Sequence, residues 1–197
     1  MPDDRIADRT IDSFLSGVAA SAVAPSAGAV AAVTGSMGAA LCEMVAIHTS
    51  DPTASLADAR HGLAADRERL LDLADEDAAA VDTVQTAFED GSDADHPQAA
   101  LQRATAVPLR IAEACATVVE HAVAVAEEGT RNAVVDVAVG ARIARTALSS
   151  AATIVRENLD LVDSDSFVTD ARRRLDDAEE AADAALEAVA AGTGVQG

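Results

Sequence analysis

Apolar residues in this chain recur every three or four positions, and the alternating pattern of a β-strand is nearly absent. Polar breaks containing proline or glycine divide the apolar stripes into segments of helical length. The pattern predicts six helices, at about residues 6–20, 29–49, 55–88, 98–128, 132–161 and 165–190. Residues 89–97 are predicted to form a polar loop, and residues 1–5 and 192–197 are predicted to be flexible ends.

The second helix differs from the others because most of its side chains are small. Gly35 and Gly38 lie within it and allow neighbouring backbones to approach closely. The segment carries almost no charge, so a membrane span is an alternative, but Pro25 and the lack of flanking aromatic or basic residues favour a buried helix. We therefore expect an all-α fold, a single-domain bundle of about six long antiparallel helices over residues 1–197, with this small-residue helix at its centre.

The charge balance narrows the possible partners and environment. The chain has 197 residues, of which 34 are acidic and 14 are basic, and its formal net charge is −20. Such a surface repels itself at low salt and is screened in concentrated salt, which predicts a protein adapted to a salty cytoplasm. Nucleic acid is not expected as a partner, because phosphate binding needs clustered basic residues. The 50% hydrophobic content argues against a disordered chain.

The ends of the chain and its cysteines support the same view. The acidic, polar N-terminus has no basic and apolar leader, so we expect a cytoplasmic protein. Cys42 and Cys115 lie in apolar helical segments and lack paired spacing, which predicts buried thiols rather than a disulfide. We expect no metal site, because no ligand spacing connects the cysteines with the histidines at positions 48, 61, 96 and 121.

Two carboxylates fall on apolar helix faces. At 3.6 residues per turn, Asp136 shares a stripe with Ile143 and Ala147, and Asp77 shares one with Leu70. A carboxylate removed from water is costly unless it is paired, and such positions are where acid–base chemistry arises. Two alternatives stay open: Asp136 satisfied by an arginine or by helix-end N–H groups, and Asp77 at the margin of its face, reaching solvent.

The break before the second helix is a further candidate site. Pro25, Ser26, Ala27 and Gly28 lead directly into the helix, whose first N–H groups are unpaired and whose dipole is positive at this end. This combination suits a carboxylate or a phosphate. An ordinary helix start produces the same pattern, and it stays open as an alternative.

Six short segments carry a resemblance to a known family. They are Pro-Ser-Ala-Gly-Ala-Val at 25–30, Gly-Ala-Ala-Leu-Cys-Glu-Met-Val at 38–45, Asp-Glu-Asp-Ala at 75–78, Arg-Ala-Thr-Ala-Val-Pro-Leu at 103–109, Asp-Val-Ala-Val at 136–139 and Asn-Leu at 158–159. Together they resemble the cyclodeaminase/cyclohydrolase family of helical folate enzymes. The chain departs from the family pattern at Ser26, Ala27 and Ala29, which replace Gly, Gly and Ser, and at Val135 and Ile154, which replace Ser and Asn.

The resemblance implies a homodimeric, haloarchaeal-type enzyme that hydrolyses 5,10-methenyltetrahydrofolate to 10-formyltetrahydrofolate without a metal or redox cofactor. It implies Asp136 as general base on water, with Asp77 as a second catalytic carboxylate. Residues 25–28 would hold a polar part of the folate, Arg103 would hold a glutamyl carboxylate, and Asn158 would orient the pterin or the base. The alternatives are a formiminotetrahydrofolate cyclodeaminase, a catalytically silent protein that binds a folate or another protein, and a helical module of unrelated function.

Overall fold

The structure, a computed structural model, describes residues 5–89 and 95–195. These residues form six α-helices and no β-strand. The helices are α1 (Ile11–Val18), α2 (Ala27–Ile47), α3 (Ala54–Glu89), α4 (Asp95–Glu128), α5 (Val134–Leu159) and α6 (Asp165–Thr193). Short 3-10 turns at Ile6–Asp8 and Arg131–Ala133 precede α1 and α5.

Four helices form the body of the bundle. α2 packs against α3 and α5, and α4 closes the ring by packing against the same two helices. α2 also contacts α4 across the centre, and α6 packs on the outside against α4 and α5. Buried apolar residues from α2 to α6 belong to one hydrophobic cluster. The predicted all-α bundle of about six helices is therefore confirmed.

The small residues of α2 allow it to pack closely against α5. A Cβ atom added at Gly38 would lie 2.7 Å from the Gly140 carbonyl oxygen, and one added at Gly140 would lie 2.7 Å from the Cys42 sulfur. Both distances are too short for packed atoms, so larger residues would force the helices apart. α2 is also the one helix in the described residues long and apolar enough to cross a membrane, but half of its most apolar stretch is buried in the bundle.

The first predicted helix is wrong in length. A 3-10 turn ends at Asp8, and α1 starts only at Ile11. Between them, the hydroxyl of Thr10 accepts a hydrogen bond from the Ser13 N–H at 3.1 Å. Threonine at this position caps a helix start, which breaks the apolar stripe into two elements.

Two other predicted boundaries also need correction. α4 begins at Asp95, so the predicted polar loop is wrong over residues 95–97, while residues 90–94 lie outside the described part. α6 continues to Thr193, so the first two residues of the predicted flexible end are helical. Gly194 then ends α6 with a φ of 71°, a left-handed conformation that glycine adopts readily. Residues 1–4 and 196–197 lie outside the described part.

The two cysteines are buried free thiols, as predicted. Burial raises the pKa of Cys42 and of Cys115 to about 12. A thiol that stays protonated is a poor nucleophile, so neither cysteine is a candidate for catalysis.

Candidate active site

Asp77 is the most enclosed candidate residue of the chain, with 4% of its surface exposed. It lies on α3 and faces the first turn of α2. Its Oδ2 atom accepts a hydrogen bond from the Ala29 backbone N–H at 2.9 Å and a longer one from the Ser26 hydroxyl at 3.4 Å. The carboxylate thus lies at the positive end of the α2 dipole and uses one of the N–H groups that a helix start leaves unpaired.

Gly28 makes room for this carboxylate. A Cβ atom added at Gly28 would lie 2.1 Å from Oδ1 of Asp77 and 2.4 Å from its carboxyl carbon. No packed pair of atoms tolerates these distances, so any side chain here would displace Asp77. The glycine is therefore required at this point even though other glycines of the family loop are replaced.

Two opposing effects set the acidity of Asp77. Burial raises the pKa of this carboxyl above its ordinary value, because the charged form loses its contact with water. The hydrogen bonds from Ala29 and Ser26 favour the charged form and lower the pKa in part. Desolvation is the larger effect, so the pKa of Asp77 is raised. A carboxylate with a raised pKa is a stronger base than one in water.

Asp77 opens onto a cavity of about 410 Å³ between α2, α3, α4 and α5. The lining side chains are mostly aliphatic, and few polar groups lie among them. They belong to Val23, Ser26, Ala27, Gly28, Asp77, Val81, Val84, Gln85, Leu101, Ala104, Ile154, Asn158 and Leu161. A concave apolar wall with a few fixed polar groups is typical of a small-molecule site.

The turn at Pro25 separates this cavity from a second hollow of about 480 Å³. Val23, Ser26 and Ala27 line both spaces, whereas Pro25 lines only the second. Of the six residues predicted to bind substrate, the four of the turn, residues 25–28, are thus together at the start of α2. The Ala24–Pro25 peptide bond in this turn is cis.

Asn158 joins the same site from the last turn of α5. Its side-chain amide donates a hydrogen bond to the Ala104 carbonyl of α4 at 3.0 Å. Arg103 immediately precedes Ala104 in α4, but its side chain is exposed and lines neither hollow beside the Pro25 turn. The structure therefore places Asn158 in the cavity wall and Arg103 on the adjacent surface.

Asp136 lies far from this cavity. It is half-buried in the first turn of α5. The next residue, Val137, accepts a weak hydrogen bond from Cys42 at 3.7 Å. The stretch of α2 from Ala29 to Cys42 measures about 20 Å at 1.5 Å per residue, and the two carboxylates are separated by a similar distance. One protomer does not bring Asp136 and Asp77 together, and the role of Asp136 as general base stays a prediction.

The sequence missed the backbone partner of Asp77 and much of the apolar wall. The Ala29 N–H has no side-chain signature, and Ile154 stood out in the sequence only as a departure from the family pattern. A helix start next to an inward carboxylate is the signal that could have paired α2 with α3. No group of three His, Cys, Asp or Glu side chains that could hold a metal ion occurs within the described part of the chain.

Comparison with known proteins identifies the family and agrees with this fold. Residues 10–177 match the family model described as formiminotransferase-cyclodeaminase. A methenyltetrahydrofolate cyclohydrolase from Methylorubrum extorquens is 32% identical over 186 residues, covering 86% of this chain and 88% of that protein. The formimidoyltransferase-cyclodeaminase of Sus scrofa is 30% identical over 191 residues, which span 88% of this chain but only 35% of that longer protein.

A solved structure shows the same fold. The formiminotetrahydrofolate cyclodeaminase of Thermotoga maritima superposes with a TM-score of 0.90 and 24% identity, covering 96% of this chain and 98% of that one. The bundle and its helix order are thus those of a known folate-enzyme fold, and the resemblance of the six sequence segments is confirmed. On the match over residues 10–177 and the 32% identity to a full-length relative, the chain belongs to the formiminotransferase-cyclodeaminase family.

Proposed function

We propose that this protein hydrolyses 5,10-methenyltetrahydrofolate to 10-formyltetrahydrofolate. The observation that carries the proposal is the buried Asp77 carboxylate, whose pKa is raised and which opens onto an apolar cavity of about 410 Å³. The reactive carbon of this substrate lies between two nitrogens that share a positive charge. A carboxylate inside an apolar wall attracts that charge and can also accept a proton from water.

The chemistry needs one proton relay. Asp77 accepts a proton from the water whose oxygen bonds to the methenyl carbon. It then returns the proton to N5 as the bond from that carbon to N5 breaks, while the hydroxyl proton of the intermediate leaves to solvent as the formyl group forms. The products are the N10-formyl folate and one released proton. General-base catalysis of this kind accounts for about 10²–10⁴-fold of rate. The proposed steps use water and side chains and require no metal or redox cofactor.

The other site residues act on Asp77 or on the substrate. Ala29 and Ser26 hold the carboxylate by the hydrogen bonds described above, and Gly28 leaves it space. Asn158 faces the same cavity and contacts the pterin in this proposal. Arg103 lies exposed beside Ala104, which lines the cavity, and in this proposal it pairs with a glutamyl carboxylate of the folate tail.

A second candidate is the formiminotetrahydrofolate cyclodeaminase reaction, which releases ammonia. The family model and the Sus scrofa relative both carry that activity in their names. The same cavity and base suit the cyclodeaminase reaction, because that reaction also proceeds by attack on a similar one-carbon centre. The stand-alone relative of matching length is a cyclohydrolase, and this favours hydrolysis.

Loss of methenyltetrahydrofolate absorbance at molar salt tests the proposal directly. We expect a rate well above spontaneous hydrolysis and no ammonia release from 5-formiminotetrahydrofolate. The reverse pattern would identify a cyclodeaminase. A folded protein that accelerates neither reaction would be a silent folate-binding or interaction protein, and the enzyme proposal would be wrong.

We also propose that two copies of the chain form a homodimer through α1, α2 and α5. Ile11, Leu15 and Met37 are 69%, 57% and 51% exposed on one side of the bundle. Thr34 borders three hollows on this side, one of which contains Val139, so the apolar surface continues from α1 across α2 to α5. A second copy would cover this patch, as patches of this kind mark protein interfaces.

Light scattering tests the dimer. The wild type should have twice the chain mass, and Leu15→Glu with Met37→Glu should convert it to a monomer. Phe88→Glu is the matched control, because Phe88 is also exposed but lies near the far end of α3. A wild-type monomer would overturn this proposal without touching the catalytic one.

The acidic surface supports a salt-adapted cytoplasmic protein. The 34 acidic residues are opposed by only 14 arginines, which leaves a net charge of −20. Mutual repulsion should destabilise the fold at low ionic strength and be screened within a few ångströms at molar salt. The midpoint of thermal unfolding should therefore rise steeply from dilute buffer to molar potassium chloride. A flat dependence would contradict salt adaptation.

A further inference from the structure

Pro108 interrupts the hydrogen-bond ladder of α4 at one defined place. α4 runs continuously from Asp95 to Glu128 with Pro108 inside it. In a regular helix the N–H of residue 108 donates to the carbonyl of residue 104, but proline has no N–H. The Ala104 carbonyl is therefore left without its helical donor. Ala104 also lines the Asp77 cavity.

The Asn158 side chain takes the place of the missing donor. Its Nδ2 atom lies 3.0 Å from the Ala104 carbonyl oxygen, a normal hydrogen-bond distance. Only the NH2 end of the amide can donate to a carbonyl, so this contact fixes which way the amide group is turned. Oδ1 is thereby left as an acceptor. No hydrogen bond within the described residues uses Oδ1 of Asn158.

The unused Oδ1 atom of Asn158 suits a substrate group that donates a hydrogen bond. In the proposed reaction Asp77 acts at the methenyl carbon, so Asn158 is left to recognise another part of the ring. An acceptor in a mostly apolar cavity fits a flat ring that presents N–H donors along one edge. The 2-amino-4-oxopyrimidine edge of a tetrahydropterin has such donors, at its amino group and at N3.

We propose that Pro108 is a positioning residue, which frees the Ala104 carbonyl to hold Asn158 with Oδ1 turned to accept a hydrogen bond from the pyrimidine edge of the folate substrate. The proposal rests on the proposed function for the identity of the ring. The role of Pro108 in positioning Asn158 does not rest on the proposed function, because the contact between Asn158 and Ala104 needs no substrate.

Pro108→Ala is the first test, and it restores the missing N–H. The new helical donor competes with Asn158 for the Ala104 carbonyl. In the unliganded wild type, the side-chain NH2 protons of Asn158 should exchange slowly with solvent, and in Pro108→Ala they should exchange faster. Pro97→Ala is the matched control, because Pro97 lies in the first turn of α4, where N–H groups have no intrahelical acceptor. Alanine is a better helix former than proline, so Pro108→Ala is expected to fold.

Kinetics test what the held amide does. Pro108→Ala should raise KM by about 3- to 10-fold, the effect of one neutral hydrogen bond, and should change kcat less. Asn158→Ala should raise KM by about tenfold. The double variant should be no worse than Asn158→Ala alone, since Pro108 acts through Asn158. Additive losses would show that Pro108 acts by another route.

A substrate analogue tests the recognised edge. Replacing the 2-amino group by methyl should weaken binding to the wild type more than to Asn158→Ala. Equal loss in both proteins would overturn the assignment of Oδ1 as acceptor for this edge. If the wild type does not hydrolyse 5,10-methenyltetrahydrofolate, the proposed function fails. Calorimetric binding of tetrahydrofolate to the wild type and to Asn158→Ala then decides the recognition half, and equal affinities would contradict it.

Discussion

Two buried carboxylates lie on the same face of α3 and have different surroundings. Asp66 is 7% exposed and Asp77 is 4% exposed. They are eleven residues apart, which is about three helical turns, so both point toward the interior of the bundle. Helical spacing alone does not distinguish them. The groups that each one faces do.

Asp66 is surrounded by partners from α4. His121 Nδ1 lies 2.9 Å from one carboxylate oxygen, and the Thr117 hydroxyl donates to the other at 3.1 Å. Gly62 gives the imidazole ring its space, since a Cβ atom there would lie 2.4 Å from the ring. Both oxygens of Asp66 are thus occupied, and one partner can carry a positive charge.

Among the residues that the structure describes, Asp77 has hydrogen-bond donors but no cationic partner. Its partners are the Ala29 N–H and the Ser26 hydroxyl, and its remaining side opens onto the cavity. A buried carboxylate with a paired charge holds helices together, whereas one with neutral donors and an open side can exchange protons with a ligand. The comparison therefore predicts a structural role for Asp66 and a catalytic role for Asp77.

The largest expected effect comes from Asp77→Asn. Asparagine has nearly the same shape and can still accept from Ala29, but it is a poor base. The value of kcat/KM should fall by about 10²–10⁴-fold, while circular dichroism shows an intact helical fold. Asp66→Asn is the matched control: it should lower the free energy of unfolding by about 1–3 kcal/mol and leave turnover near the wild-type value. A greater loss of kcat/KM in Asp66→Asn than in Asp77→Asn would reverse the comparison.

The second effect concerns the space around Asp77. Gly28→Ala should displace the carboxylate, lowering kcat/KM by about 10²-fold through misplacement of the base and stability by about 1–3 kcal/mol. Gly17→Ala is a fitting control, because its new Cβ would lie 3.6 Å from Pro25, an ordinary contact. Enzyme assays with thermal melts on both variants measure the difference. An active Gly28→Ala protein would show that Asp77 need not stay where it is.

Much of the fold follows from the sequence because it depends on periodicity. The apolar stripes located six helices, and the small residues of α2 placed it against its neighbours. Boundaries failed where one local residue decided them, as Thr10 did by capping α1. A helix cap contributes about 1 kcal/mol to stability, and the apolar periodicity that predicts helices does not report this contribution.

The site was predicted in part, because its residues come from four helices. Asp77, the 25–28 turn and Asn158 were all named from the sequence. The structure brings all of them except Pro25 to one cavity, and Pro25 lines the adjacent hollow. Their mutual distances depend on helix packing, so the sequence could not separate Asp136 from this group. Asp66 was missed although its spacing from Asp77 is visible in the sequence. His121 was considered only as a metal ligand and set aside for lack of ligand spacing, so its pairing with Asp66 was missed as well.

A smaller effect concerns Asp66 and His121, a pair that does not line the Asp77 cavity. The hydrogen bond to Asp66 raises the pKa of His121 above its usual value, and burial offsets part of this rise. The negative charges of Asp66 and Glu120 also raise the pKa. Protonated His121 is thus better stabilised in the folded than in the unfolded chain. This stabilisation is complete below the unfolded pKa of about 6.5 and is lost as the pH rises through the folded pKa.

His121→Gln should remove that pH dependence. The wild type should be more stable than the variant at acidic pH, and the difference should shrink as the pH rises above the folded pKa of His121. We expect less than about 1 kcal/mol, because the ring is more than one-third exposed and solvent screens the pair. Unfolding midpoints measured across this range give the difference directly, and a constant offset at all pH values would contradict the charged pairing.

The smallest expected effect, and the one that most sharply limits the comparison, is that of Asp136→Asn. Asp136 lies about 20 Å from Asp77, as judged along α2, and lines no part of the Asp77 cavity. If Asp77 is the base, Asp136→Asn should keep kcat/KM close to the wild-type value in the methenyltetrahydrofolate assay. A fall of about 10²-fold, the lower end of general-base catalysis, would restore Asp136 as the catalytic group. The reacting centre would then lie at the other end of α5, and Asp77 would join Asp66 as a carboxylate that only holds the bundle together.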